Sequence, residues 1–384
     1  MEKVAVEIVE KVESKENIKK EDKRDSNFEV LRILSMIMIV FHHLAVHSGL
    51  NLNAIGIFPN VLWVKFIQMG GKIGVNLFVL ISGYFLINSE KIKISKILKL
   101  WVQISFTSIS VYIIFNNILG TQKIEIQDII KRIFPIIFEV WWFPSTYFVL
   151  YIISPVLNSV LKRMERNSYK KMLLIILLFW CIIPTLVEKS FQSNSLIWFV
   201  TLYCIAGYIR LYGKDWKIKN KEYFLSAIAI AIVTYISVIL LDLNNIRVSN
   251  FEDNALYFYN MQRAPVFLIS VFIFLGFKET KVRYSKFINM IASTTFGIYL
   301  IHDYSYIRKI LWQDFFKIKF FENSKMLIPY SILVCFIIFI CCILIELIRI
   351  YIIEKQYMKV IYKIEPKINK LMDRIIDSNI IKKI

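Results

Sequence analysis

The sequence predicts an all-α membrane protein, a polytopic transmembrane helical bundle of about ten spans with both termini cytoplasmic. Three observations carry this prediction. Hydrophobic residues make up 57% of the 384-residue chain, against about 45–50% in ordinary soluble domains, and mean hydropathy is +0.55. Apolar runs of roughly 15–25 residues recur along the chain, the length a helix needs to cross the hydrocarbon core. Lysines and arginines fall mainly in alternate gaps between those runs, as the positive-inside rule requires.

Taken in order, residues 1–27 are charged and lack an apolar stretch of signal-peptide type, so they read as a cytoplasmic tail. The first span, 28–47, runs from Phe28-Glu29 through a long apolar stretch to His42-His43-Leu44. The second, 72–88, is short and rich in glycine, with Gly70, Gly71, Gly74 and Gly83 in or beside it. The third and fourth are 97–118 and 142–161, the latter opening on Trp141-Trp142-Phe143-Pro144, an aromatic group of the kind that belts a membrane interface. Spans 171–187, 196–212 and 222–241 follow, then a short eighth, 264–277, delimited by Arg263 and Pro265. The ninth is 288–306 and the tenth 327–352, followed by a basic cytoplasmic tail, 353–384. No Gly-, Pro- or Ser-rich linker divides the chain, so 28–352 reads as one membrane domain.

With the N-terminus inside, the cytoplasmic loops carry Lys91, Lys93, Lys96; Lys162, Arg163, Arg166, Lys170, Lys171; Lys214, Lys217, Lys219, Lys221; and Lys278, Lys281, Arg283, Lys286. Outer loops are poor in such residues, with one exception: Arg308, Lys309, Lys317, Lys319 and Lys325 follow the ninth span. Either that span is displaced or the loop is amphipathic and interfacial; Trp312, Phe315, Phe316, Phe320 and Phe321 among its charges favour the second.

The formal charge of +19, from 48 Lys+Arg against 29 Asp+Glu, would suggest nucleic acid in a soluble protein. Here the basic residues sit between apolar runs, which points to topology and to contacts with anionic lipid or an anionic cofactor instead. Cys181, Cys204, Cys335, Cys341 and Cys342 lie in apolar runs without metal spacing and read as buried small hydrophobes.

The most informative pair is Arg32 and His43, eleven positions apart on one predicted helix. Eleven steps of about 100° bring the helix to within roughly 20° of its starting face, about 16 Å along the axis. Two such groups on one stripe are expensive in hydrocarbon unless they face a polar cavity. Glu29 offers Arg32 a simple ion pair three residues away; a phosphate-bearing ligand is the functional alternative. His43 and His47 are four apart, a metal-like spacing, but no His-Glu-x-x-His pattern accompanies them and no metal is expected. His47 reads as interfacial, and His42, about 80° off the stripe, as a packing or orienting residue as readily as a catalytic one. In the second span the glycines with Ser82 allow close helix approach or a broken helix beside a cavity, and Lys72 and Asn76 share a face. The ninth span ends in Tyr299-Leu300-Ile301-His302-Asp303; neighbours on a helix diverge, so His302 and Asp303 are not a dyad by adjacency.

At these residues the chain resembles acyltransferase family 3, the integral-membrane O-acyltransferases. Arg32 and His43 match the family's basic residue and histidine of the first span, and Gly74 through Leu86 matches a Gly-Val-x-Leu-Phe…Ser-Gly-(Phe/Tyr)-x-Leu signature. Tyr299, Leu300 and His302 match a Tyr-Leu-x-His end to a late span, and the Trp-Phe…Tyr…Pro segment before mid-chain is similar too. The likeness runs from about Phe28 to about Tyr351; Glu29 stands where many members have Asp, and no esterase-like C-terminal domain follows. The resemblance implies acyl transfer, usually acetyl, from cytosolic acyl-CoA to a hydroxyl of a cell-surface polysaccharide or its lipid-linked precursor, in the cell membrane. Acetyl-CoA would be a co-substrate, no cofactor would be permanently bound, and polysaccharide-assembly proteins would be partners. His43 and His302 would be catalytic, with Arg32, Lys72, Gly74 and Ser82 holding the donor and Glu29, His42 and Tyr299 in support. Direct transfer and a transient acyl-histidine both remain open. The rival reading is a polyisoprenoid-glycan flippase or other transporter, which needs no singular histidine.

Overall fold

The computed structural model describes residues 26–89, 93–119, 125–187, 191–216, 218–244 and 257–376. Most of the N-terminal tail, the last residues of the C-terminal tail, and Lys91 and Lys217 of the loop-charge argument lie outside the described residues.

Each of the ten apolar runs is a helix. In chain order they are α1 (Ser26–His47), α2 (Pro59–Leu86), α3 (Ile94–Leu119), the short α4 (Ile126–Ile133), α5 (Trp142–Leu161), α6 (Arg166–Leu186), α7 (Ser195–Tyr212), α8 (Asn220–Leu243), α9 (Ala264–Glu279) and α10 (Lys286–His302). After the one-turn α11 (Ser305–Lys309), α12 (Leu327–Ile348) passes through a π-helical turn, Arg349–Glu354, into α13 (Lys355–Ile376). Among the described residues there is no strand, and eight helices are long and apolar enough to cross a membrane. The chain is a multi-pass membrane protein.

Lipid, not water, is the solvent that suits its outside. On α8 alone Leu225, Ile228, Ile232, Val233, Ile236 and Leu240 are exposed. Such a surface would drive aggregation in water but is neutral against hydrocarbon. The inside is organised by α2, which packs on α1, α7 and α9.

Small residues set how close α1 and α2 come. A Cβ at Gly74 would lie 2.6 Å from the Ser35 carbonyl oxygen, and one at Gly71 would lie 2.2 Å from His42 Cγ. The glycines therefore permit close approach, and the helix runs through them unbroken from Pro59. Polar groups then fix the register. The Trp198 indole donates to Asn76 Oδ1 at 3.0 Å, and the Asn76 amide donates to the Met261 carbonyl at 2.8 Å. Asn158 donates to the Leu86 and Ser89 carbonyls, both at 2.8 Å, and so satisfies the end of α2. A buried ion pair between Lys65 and Asp242 ties α2 to α8.

The basic stretch after α10 folds as helical turns over the His47 end of α1. Gln313 donates to the His47 carbonyl at 2.8 Å and Lys319 to the Gly49 carbonyl at 2.7 Å. Trp312 and Ile318 are buried while Phe315 and Phe320 are exposed, the two-faced pattern expected of an interfacial segment. The ninth run is helical over Lys286–His302, four residues short of the expected end at 306, and neither it nor the eighth run, Ala264–Glu279, is among the eight helices long and apolar enough to span. The tail after the last span is helical to Ile376, with Glu365 accepting from the Ser95 amide at 2.8 Å at the start of α3. Cys181, Cys204, Cys335 and Cys342 are buried, and Cys341 is exposed on the apolar surface of α12.

Candidate active site

The site is assembled from α1, α2, α5 and α10 at the His43 end of the bundle. His302, the last residue of α10, is fully buried against α1. Its Nδ1–H donates to the Ile298 carbonyl one turn back at 2.6 Å. A carbonyl can only accept, so that nitrogen carries the proton. With both rings neutral, His302 Nε2 is then an acceptor, and His43 Nδ1–H donates to it at 2.8 Å. This leaves His43 Nε2, on the other side of the ring, as an unprotonated base.

Asp303 turns away from His302 and toward α1. Its Oδ1 lies 3.4 Å from His43 Nδ1 and 3.5 Å from His47 Nε2, and accepts from Arg308 Nε at 2.8 Å. The carboxylate is 1% exposed, so its charge needs these partners. His47, read from sequence as interfacial, belongs to the cluster instead. His42 turns its Nδ1–H to the Gln68 carbonyl at 2.7 Å, which fixes its ring against α2.

A cavity of about 220 Å³ opens in front of these groups, lined by His42, His43, His47, Lys72, Trp142, Tyr299, Asp303 and Arg308 among others. Lys72 Nζ sits 5.1 Å from the Trp142 ring centroid. His302 does not line the cavity; it touches His43 from behind. His43, His47 and Asp303 offer three ligand atoms within 4.8 Å of one another, close enough for a metal ion. The hydrogen bonds count against that use. His43 Nδ1 bears the proton given to His302, and Arg308 occupies the same Asp303 oxygen.

Arg32 belongs to a second cavity, of about 280 Å³, toward the other end of the same helices. Ser82, Lys99, Gln103, Tyr147, Arg349 and Glu354 line it too. Arg32 approaches Glu29 at 3.7 Å, so the predicted pair exists, loosely. Arg349 is held by Glu346 at 2.9 Å and Glu354 at 3.0 Å, and Lys99 pairs with Glu354. The residues expected to hold a donor are therefore divided. Arg32 and Ser82 share this cavity, Lys72 lies in the histidine cavity, and Gly74 is spent on the α1–α2 contact and lines neither. Asp303, Arg308, Lys99, Arg349 and Tyr147 were not singled out in the sequence as site residues, and Trp141, expected in an interfacial belt, is 1% exposed inside the bundle.

The family described as an acyltransferase domain matches residues 25–347, a stretch that contains the whole histidine cavity and all of the Arg32 cavity except Arg349, Ile350 and Glu354. The chain belongs to acyltransferase family 3. No curated protein matches it, and no solved structure does. At family level the protein is thus a membrane acyltransferase, and the histidine cluster lies inside the matched region of this acyltransferase.

Proposed function

We propose that the acyltransferase moves an acyl group, usually acetyl, from cytosolic acyl-CoA to a sugar hydroxyl of a cell-surface polysaccharide or its lipid-linked precursor, in the cell membrane. The observation that carries the reading is the proton placement at His43. A carbonyl fixes His302, His302 fixes His43, and the free Nε2 belongs to the residue that faces a cavity.

The chemistry follows from that atom. The acceptor hydroxyl gives its proton to His43 Nε2 as its oxygen attacks the thioester carbonyl. The imidazolium so formed is steadied by His302 and by Asp303, 3.4 Å away. Negative charge develops on the carbonyl oxygen, and Lys72, a cation in the cavity lining, meets it. On collapse the carbon–sulfur bond breaks, and the departing thiolate takes back the proton from Nε2. The ester and free CoA leave. Lys72 thus acts at the carbonyl oxygen, and Arg32 with Lys99 faces the donor in the other cavity.

A space of about 280 Å³ suits the narrow arm of acyl-CoA rather than its nucleotide. The phosphates would rest at the mouth near Arg32 and Lys99, about 16 Å along α1 from His43 by helix rise. Polysaccharide-assembly proteins are the partners this reading supplies.

The test is thioester cleavage by purified protein given acetyl-CoA and crude cell-surface glycan. Wild type should release CoA only with glycan present, and His43→Ala should lose about 10²–10⁴-fold, the usual cost of removing a general base. Retention of more than about a tenth of the activity sinks His43 as the base. A wild-type protein that binds glycan lipid but never cleaves the thioester is a transporter.

A further inference from the structure

The two cavities share four helices but no lining residue. On α1 Arg32 lines one and His43 the other; on α2 the pair is Ser82 and Lys72, on α5 Tyr147 and Trp142. The linings approach to three positions on α2 (Phe78 and Val75) and on α10 (Phe296 and Tyr299), and to neighbours on α5 (Phe143 and Trp142), so at about 1.5 Å per residue the cavities come within about one helical turn of each other along the bundle. Both are lined by charged side chains, which hold water in a space of this size. Joined, they would form a polar pore through a bilayer core of about 30 Å.

Between them, from α5 and α10, lies a pair of rings. Phe143 is 3% exposed and lines the Arg32 cavity. On its far side it meets Tyr299, which lines the histidine cavity, at 5.2 Å between ring centroids. It also packs on Tyr147 and Trp142, each at 6.0 Å, Phe199 at 5.8 Å and Phe78 at 6.2 Å, so its ring is wedged among five others. Tyr299 in turn lies 5.8 Å from the His43 ring. Phe143 belongs to the first turn of α5, where backbone N–H groups have no helical partner and displacement costs less than in mid-helix. Just before it the chain takes a left-handed conformation at Glu139, φ 47°.

We propose that Phe143, seated on Tyr299, is the partition that seals the bundle against ion and water flow, and that it yields only to the thioester arm of the donor. The sealing role follows from the two cavities alone. What opens it rests on the acyl-transfer reading. With the partition shut, His43 meets no cytosolic water. With it held open by truncation, the thioester stands before His43 with no sugar in place, and water of the histidine cavity attacks instead: His43 takes its proton, the C–O bond of acetate forms, the C–S bond breaks and CoA leaves protonated.

The experiment uses full-length protein in proteoliposomes loaded with a pH-sensitive dye, under an imposed proton gradient, beside an acetyl-CoA cleavage assay without glycan. Phe143→Ala should collapse the gradient at least several-fold faster than wild type and raise acceptor-free cleavage about tenfold relative to transfer. Phe143→Trp, which keeps the ring, should stay tight. If Phe143→Ala does not purify as a monodisperse protein, Phe143→Leu serves, with a smaller leak expected. Liposomes with folded Phe143→Ala or Phe143→Leu that hold the gradient as wild type does, with unchanged acceptor-free cleavage, overturn the partition. A leak in a protein that never cleaves acetyl-CoA in any form keeps the partition and removes the acyl-transfer reading.

Discussion

A neutral histidine bonded to a second histidine has its proton placed by whatever holds the second one. Here a backbone carbonyl does so, which makes His302 a positioning residue for His43. His302→Ala should therefore lower transfer about ten- to a hundredfold, less than His43→Ala, because His43 keeps Asp303 at 3.4 Å. His302→Gln offers an amide oxygen to the same N–H and should restore part of the loss. A role in packing alone predicts that alanine and glutamine variants fall together with melting temperature, so activity is read against thermal unfolding. The Arg32–His43 stripe was legible because helix periodicity is local. The partner of His43 was not, since it lies 259 residues away and sequence does not show which helix ends meet. Asp303 was hidden twice over: adjacency to His302 suggested little, and its real contacts are with Arg308 and with α1.

At the scale of elements, each of the ten apolar runs marked a helix, with the largest boundary error at the start of the second. The stretch Pro59–Gly71 carries Asn60, Lys65 and Gln68, which lower its hydropathy, so the second span seemed to begin at residue 72. The structure buries Lys65, on Asp242, and Gln68 inside the bundle, half-buries Asn60 against the Glu322 and Ser324 carbonyls, and begins the helix at Pro59. The glycines were ambiguous between a broken helix and close packing, and the α1 backbone resolves that. A Cβ at Gly74 would meet the Ser35 carbonyl at 2.6 Å, whereas at Gly70 the nearest atom is Met38 Cβ at 3.2 Å. Backbone cannot swing aside as a side chain can. Gly74→Ala should thus cost about 1–3 kcal/mol and part α1 from α2, while Gly70→Ala should be mild. Thermal unfolding in detergent measures both, and equal melting temperatures for the two variants would show that α1 gives way freely.

Across the whole molecule the loop charges and the two cavities make one claim about direction. The Arg32 end of α1 lies on the side of the Lys162–Lys171 and Lys278–Lys286 loops, and the His43 end on the side of the loops around Asn51 and Ser193. Positive loops stay inside, so the cavity with Arg32, Lys99 and Arg349 should face the cytosol, where acyl-CoA is made, and the histidine cavity should face outward, where the glycan is. Single cysteines in a cysteine-free background report this directly. Asn51→Cys and Ser193→Cys should react with an impermeant maleimide on intact cells, and Ser168→Cys and Lys281→Cys only after the cells are opened. Labelling of Ser168→Cys in intact cells would invert the bundle and put the histidines on the cytosolic side. Topology and chemistry can also part company. Suppose the labels fall as expected, yet intact cells acylate an impermeant external sugar from external acyl-CoA. The donor would then reach His43 without crossing the Phe143 level, and the Arg32 cavity would need another occupant.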